Sequence, residues 1–270
     1  MFKVVNKLLH KKSKTPLPSH NSPEALANQF ADYFTSKIID IRKGLISLKK
    51  NQGIVESASL STSAIQFTLD EFEAATEEEV SRIIKHSPNK SCSLDPVPAD
   101  LLKDCLTVLL PILTQIINLS LTSAVMPENL TKAILGPLLK KSSLDWEILK
   151  NFRPVSNLSF LSKLTEKVVA KRLTHHMQTC NLHDIFQSAY KQYHSTETAL
   201  IRVQNDILQA VDQNQVVLLV LLDLSAAFDT VDHQKLLSVL SMRLGIQGRA
   251  LQWFSIYING SYSKSHELKC

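Results

Sequence analysis

Asp223 is the residue of this sequence best placed to do chemistry. It follows Val216-Val217-Leu218-Leu219-Val220-Leu221-Leu222, an unbroken aliphatic run, and precedes Leu224-Ser225-Ala226-Ala227-Phe228-Asp229. A run of strand length with no polar alternation belongs to a strand buried on both faces. The spacing therefore predicts such a strand over 215–222. A carboxylate at its end emerges at the sheet edge, where a hard divalent cation can meet it on a short tether. The same side chain would cap the next turn in a protein with no metal, and spacing alone leaves both readings open. Other reactive patterns are lacking. Cys92, Cys105, Cys180 and Cys270 are scattered, with no Cys-x-x-Cys pair and no His at zinc-finger spacing. They read as free thiols of a reducing compartment, with no disulfide-linked partner. His175, His176 and His183 lack the i, i+4 spacing of helical metal ligands and read as surface.

The elements that must position these residues are mostly helical. Residues 1–21 read as a basic, poorly ordered leader. Ser22 as N-cap and Pro23 at the first helical position start a helix, with Leu26, Phe30, Phe34, Ile38, Ile41 and Leu45 on one face. Ser47 to Thr68 is polar and aperiodic, a linker. Thr76 and Glu79 form a capping box for a helix to His86. A turn-rich stretch over 88–98 leads to a helical region reaching Ala124. Ala133 to Lys140 reads as a strand or hairpin arm. Phe160 to Met177 and Thr196 to Val211 are amphipathic helices, the first with Leu164, Val168 and Leu173 inward, the second with Leu200, Val203, Ile207 and Val211 in register. Asp232 caps a further helix that Gly245 stops, and Gln247 to Tyr257 is a last short helix. No internal repeat is visible. The fold class expected is α/β, helix-rich α+β.

Composition narrows the class. The 270 residues are 44% hydrophobic and 20% charged, values ordinary for a globular protein of one or two domains. Only six glycines exclude a collagenous chain. The net charge of +5 is uneven. Residues 1–50 hold ten Lys/Arg against three Asp/Glu, 51–100 three against nine, and 131–175 nine against three. Local basic patches suit a nucleic-acid binder better than a high total charge does. Charge alone fits a mixed solvated surface better. Lysines 3, 7, 11 and 12 interrupt any secretory signal. The most apolar stretch, Leu106 to Ala124, contains Pro111, Gln115 and Asn118 and suits a buried helix better than a membrane span. The expectation is an intracellular protein, of nucleus or cytoplasm, with no membrane partner.

Five segments in order carry a resemblance. Val220-Leu221-Leu222-Asp223-Leu224-Ser225-Ala226-Ala227-Phe228-Asp229-Thr230-Val231-Asp232-His233 resembles the first palm motif of the reverse transcriptases of non-LTR retrotransposons, jockey-like and chicken-repeat-like elements above all. Ser93-Leu94-Asp95-Pro96-Val97-Pro98 resembles their entry into the fingers. Asn151-Phe152-Arg153-Pro154-Val155-Ser156 resembles their fingers motif. Phe186-Gln187-Ser188-Ala189-Tyr190 with His194-Ser195-Thr196 resembles the next, and Gly245-Ile246 to Trp253-Phe254 and Tyr257 the segment after the first palm helix. The joint match over about residues 88–260 is specific where each piece alone is not.

The resemblance implies roles. Asp223 would hold two Mg²⁺ ions, the metal of an intact parent enzyme, with help from the backbone carbonyl of Leu224. Phe228, beside Ala227, would be a steric gate excluding a ribose 2′-OH. Arg153, and with less support Lys140 or Lys141, would contact the incoming deoxynucleoside triphosphate. Lys163, Lys167, Lys171 and Arg172 would line a track for the RNA template and DNA primer, with Gln187 and Tyr190 nearby. On the residues alone, Phe228 is better explained by a core and Arg153 by a surface ion pair, and the four cations at least as well by a solvated helix face. Asp229 and Asp232 read as helix-start residues.

The same resemblance implies what is missing. Two-metal chemistry needs several carboxylates around ions about 4 Å apart. In the family the rest come from an aromatic-x-Asp-Asp hairpin, and this sequence has no Asp-Asp dipeptide. The family's Pro-Gln-Gly segment, thumb and endonuclease are not found either. The expected organisation is a basic leader over 1–21, a helical linker over 22–75 and a partial reverse transcriptase domain over 76–270. That domain divides into fingers over 88–214 and the start of the palm over 215–270, truncated before the Asp-Asp hairpin. The chain is expected to be a fragment of an RNA-directed DNA polymerase that is inactive alone, or alternatively a non-catalytic nucleic-acid-binding remnant. A palm sheet short of strands would leave an exposed apolar edge.

Overall fold

The computed structural model describes residues 16–52, 67–224, 226–262 and 267–268. Helix α1 (Pro23–Gln52) starts where the sequence puts it, with the Ala25 amide donating to Ser22 Oγ at 3.1 Å. It runs into the stretch read as linker, because nothing between Ser47 and Gln52 is a helix breaker. Leu26, Phe30 and Phe34 are buried and form a small core with Leu139 and Phe152. Phe30 meets Phe152 edge-on at 5.1 Å between ring centroids. Residues 16–21 lie against the same region: the amide and hydroxyl of Ser19 donate to the Glu147 carboxylate at 2.8–3.2 Å. Residues 1–15 of the expected leader and 53–66 of the expected linker lie outside the described residues.

The main core is helical. Helices α2 (Glu77–His86), α3 (Ala99–Asp104) and α4 (Leu106–Ser123) are followed by the single turn α5 (Glu128–Thr131). Val80 and Ile84 of α2, and Leu113, Ile117 and Leu121 of α4, pack with Leu164 and Val168 of α6 (Phe160–Thr179). Helix α4 is long and apolar enough to cross a membrane by length and composition, and a third of it is buried against this core. Of the expected capping box, one half forms. Thr76 Oγ1 accepts from the Glu79 amide at 3.2 Å, while the Glu79 carboxylate is taken by α6.

Strand β1 (Ala133–Leu139) pairs antiparallel with β2 (Phe152–Leu158), and β3 (Glu267–Leu268) adds in parallel to β1. The register sets Pro137 opposite Pro154, so the two missing amides fall on one rung of the ladder. Asp95 ties the turn-rich entry to the start of α6: its carboxylate accepts from the Cys92 amide at 2.6 Å and from the Phe160 amide at 2.5 Å.

The last helices are α7 (Thr196–Asp212), α8 (His233–Met242) and α9 (Gly248–Tyr262). Ser195 and Thr198 cap α7 reciprocally, and Asp232 caps α8 by accepting from the Lys235 amide at 3.1 Å. Trp253 of α9 is buried, and its indole N–H donates to Ser120 Oγ at 3.1 Å. Residues 69–70 bond back to 245–250: the Leu69 amide donates to the Gly245 carbonyl at 2.9 Å, and the Ala250 amide donates to the Asp70 carbonyl at 2.9 Å. Observed and expected class agree in being helix-rich with a small sheet.

Two expectations are corrected. Residues 216–224 are extended but unpaired, and Val216 and Leu222 are 99% and 89% exposed. A strand is a relation between two backbones, and among the described residues none flanks this one. Helix α7 forms as predicted but buries no residue, and Leu200, Val203 and Val211 face outward. A third reading, that His176 is a surface residue, also gives way. Its ring is buried and its Nε2 lies 2.7 Å from the Leu244 carbonyl, tying α6 to the turn after α8.

Candidate nucleic-acid and nucleotide site

Asp223 and Leu224 lie in the extended, exposed stretch that leads into the turn 226–230. Ala226 takes a left-handed φ of 52°, and the Thr230 amide closes the turn on the Ala226 carbonyl at 3.1 Å. Ala227 and Phe228 are exposed on it. Phe228, 77% exposed, meets the ring of Tyr190 edge-on at 6.3 Å. Tyr190 is itself 93% exposed and left-handed, with φ 59°. Gln187, nearby, is turned back on its own loop, its amide donating to the Ala189 carbonyl at 3.0 Å. Two of the segments quoted for the resemblance are thus in contact through one aromatic pair.

Helix α1 reaches the same turn through charge. Asp229 is half-buried, and desolvation pushes its carboxyl up from the ordinary value against the opposing pull of the Lys37 ammonium. Lys140, at the end of β1, is held below the usual lysine range, first by desolvation and then by repulsion from that same Lys37. Its Nζ donates to the Lys150 carbonyl at 2.6 Å. Lys37 of α1 therefore lies within electrostatic range of both the hairpin and the turn. Arg153 is exposed on β2, its backbone opposite Leu138, and Lys141 is exposed just beyond Lys140. Sequence reasoning missed Lys37. The signal was faint: it lies one turn past Phe34 on a helix whose apolar residues dock on the hairpin.

The basic face of α6 is used differently from the expectation of a phosphate track. Arg172 forks onto Glu79 at 2.7 and 2.9 Å and also donates to the carbonyls of Glu73 and Ala74. Lys171 donates to Glu79 at 2.6 Å, and Lys167 to Ser87 Oγ at 2.7 Å. The Arg172 guanidinium, with help from Lys171, holds the Glu79 carboxyl down at about 2. These cations clasp α2 to α6. Lys163 lies near Glu166, whose carboxyl burial pushes up.

Among the described residues, no three His, Cys, Asp or Glu side chains converge as a metal site. One exposed carboxylate at the end of an unpaired stretch cannot balance two divalent cations, so the described residues do not by themselves fit a two-metal centre.

Residues 138–267 match the family model described as reverse transcriptase (RNA-dependent DNA polymerase). The chain is 33% identical over 162 residues to the probable RNA-directed DNA polymerase from transposon BS of Drosophila melanogaster, covering 60% of this chain and 18% of that protein. It is 29% identical over 170 residues to the RNA-directed DNA polymerase from mobile element jockey of the same species, covering 61% and 18%. The chain thus spans less than a fifth of the length of these curated relatives.

Proposed function

We propose, from the premise that residues 138–267 are a reverse transcriptase segment of the non-LTR retrotransposon kind, that this chain is fingers (88–214) and first palm segment (215–270) of an RNA-directed DNA polymerase, preceded by a helical linker (22–75). The observation that carries the reading is the turn 226–230, where Phe228 meets Tyr190 and Asp229 faces the lysine that also faces Lys140. Residues quoted from two separate motifs meet there. In this reading Arg153, Lys140 and Lys141 take the triphosphate of an incoming deoxynucleotide. Ala227 and Phe228 bound its ribose, and Lys163, Gln187 and Tyr190 face the template. Asp223 is one of the carboxylates that a complete polymerase uses to hold divalent metal. Among the described residues no partners converge on it, so in this reading the chain binds nucleic acid but does not extend a primer.

A primer-extension assay with Mg²⁺ on an RNA template tests this directly, and no product is expected. Processive synthesis would overturn the inactivity. Filter binding across a salt series tests the other half. The logarithm of the binding constant should fall with the logarithm of salt by about 0.7 for each phosphate neutralised on a single strand, and a flat line would sink the binding reading.

A further inference from the structure

A cleft of about 600 Å³ opens between the last turn of α6, the loop that follows it and the last turn of α8. Met177, Leu182, Val239 and Met242 give it an apolar lining, and the exposed ring of Tyr190 stands on its rim. Lys191 and Arg243 bring two cations to the same lining, and Asp184 brings one acid. Among the described residues, neither the Lys191 ammonium nor the Arg243 guanidinium makes a hydrogen bond or an ion pair. Asp184 is engaged with its own loop, its carboxylate accepting from the Phe186 amide at 2.8 Å. The C-terminal ends of two helices would add negative charge to such a place, but carbonyls of both last turns are met. The Leu182 amide donates to the Met177 carbonyl at 2.8 Å, and the Leu244 amide donates to the Val239 carbonyl at 3.3 Å. Two unspent cations against one engaged acid leave the cleft positive.

We propose that this cleft seats the backbone of a single nucleic-acid strand, with Lys191 and Arg243 on its phosphates and a base stacked on Tyr190. The inference rests on the nucleic-acid reading above. It adds two phosphate contacts, Lys191 and Arg243, that lie outside every segment quoted for the resemblance. Tyr190 also meets Phe228 edge-on, so its ring is engaged at an edge, and a strand held in the cleft runs on past the turn 226–230. The volume suits one or two nucleotides and is too small for a duplex. An acidic peptide would meet the same cations, but it would leave the exposed aromatic ring without a flat partner to stack on.

The test uses the full chain and a fluorescently labelled single-stranded oligonucleotide, with anisotropy read across a salt series. Lys191→Ala with Arg243→Ala should reduce the slope of log binding constant against log salt by about 1.4, at about 0.7 for each cation. Lys191→Arg with Arg243→Lys should keep the slope of the unaltered chain, since both replacements preserve charge. Tyr190→Ala should weaken binding on the order of tenfold and leave the slope alone, because the ring carries no charge. Circular dichroism should be the same for all variants. Arg153→Ala on the hairpin serves as the reference. If it lowers the slope while the Lys191/Arg243 double alanine variant does not, the cleft proposal fails and the nucleic-acid reading stands. If the unaltered chain binds no oligonucleotide, both fail. If the double alanine variant keeps its oligonucleotide slope and instead loses binding to a labelled polyglutamate peptide or to labelled ATP, the cleft serves that other anion and the proposal is overturned.

Discussion

At the scale of single residues, two acids pull stability in opposite directions. Glu79 sits at about 2 in the folded chain against an ordinary 4.5, because Arg172 and Lys171 favour its charged form. Its contribution is fully present above about pH 4.5 and drains away as pH falls toward 2. Glu166 is pushed up by burial and accepts from the Tyr257 hydroxyl. Its contribution is complete below the ordinary carboxylate value and is lost as pH rises through the raised one. Glu79→Gln should cost about 2 kcal/mol at neutral pH, since it strands a partly buried guanidinium. It should also flatten the acid limb of a stability profile measured by urea titration. Asp223→Asn should leave stability within about 0.5 kcal/mol, because the carboxylate is exposed and makes no hydrogen bond among the described residues.

At the scale of elements, the joints are short and specific. Gly248 has a φ of 51°, and a Cβ there would meet the Asp70 carbonyl oxygen at 2.8 Å. Gly248→Ala should therefore cost about 1–3 kcal/mol and loosen residues 67–72 from α9, visible as faster amide exchange at Leu69 and Ala250. Phe152→Ala should cost about 3–5 kcal/mol and release α1 from the hairpin. Legibility in the sequence followed locality. Ser22, Thr76 and Asp232 announce helix starts within a few residues, and all three side chains accept from the amide three residues on. The β1 arm was readable as an apolar run bounded by Lys140 and Lys141. What resisted reading depends on distant chain. The aliphatic run at 216–222 encodes willingness to pair, and pairing needs neighbours. The cations of α6 look alike in sequence, and only the position of Glu79, some ninety residues earlier, decides that Arg172 is a clasp. At the candidate site, a motif singles out Asp223 and Phe228 in advance as expectations, whereas Lys37 comes into view only with the docking of α1 on the hairpin.

At the scale of the whole molecule, apolar surface is unevenly disposed. The helical core around Trp253, Ile117 and Leu164 is closed, while 183–228 shows Ile185, Phe186, Tyr193 and the outer face of α7 to solvent. Seven aliphatic residues with neither charge nor proline are the kind of sequence that self-associates as stacked strands. In a living cell such a stretch would be met first by holdase chaperones and proteases, so the abundance of the chain would be set by triage more than by folding energy. Replacing Leu219 and Leu221 by lysine should raise the fraction recovered in the supernatant severalfold while leaving the melting temperature of the helical core where it was.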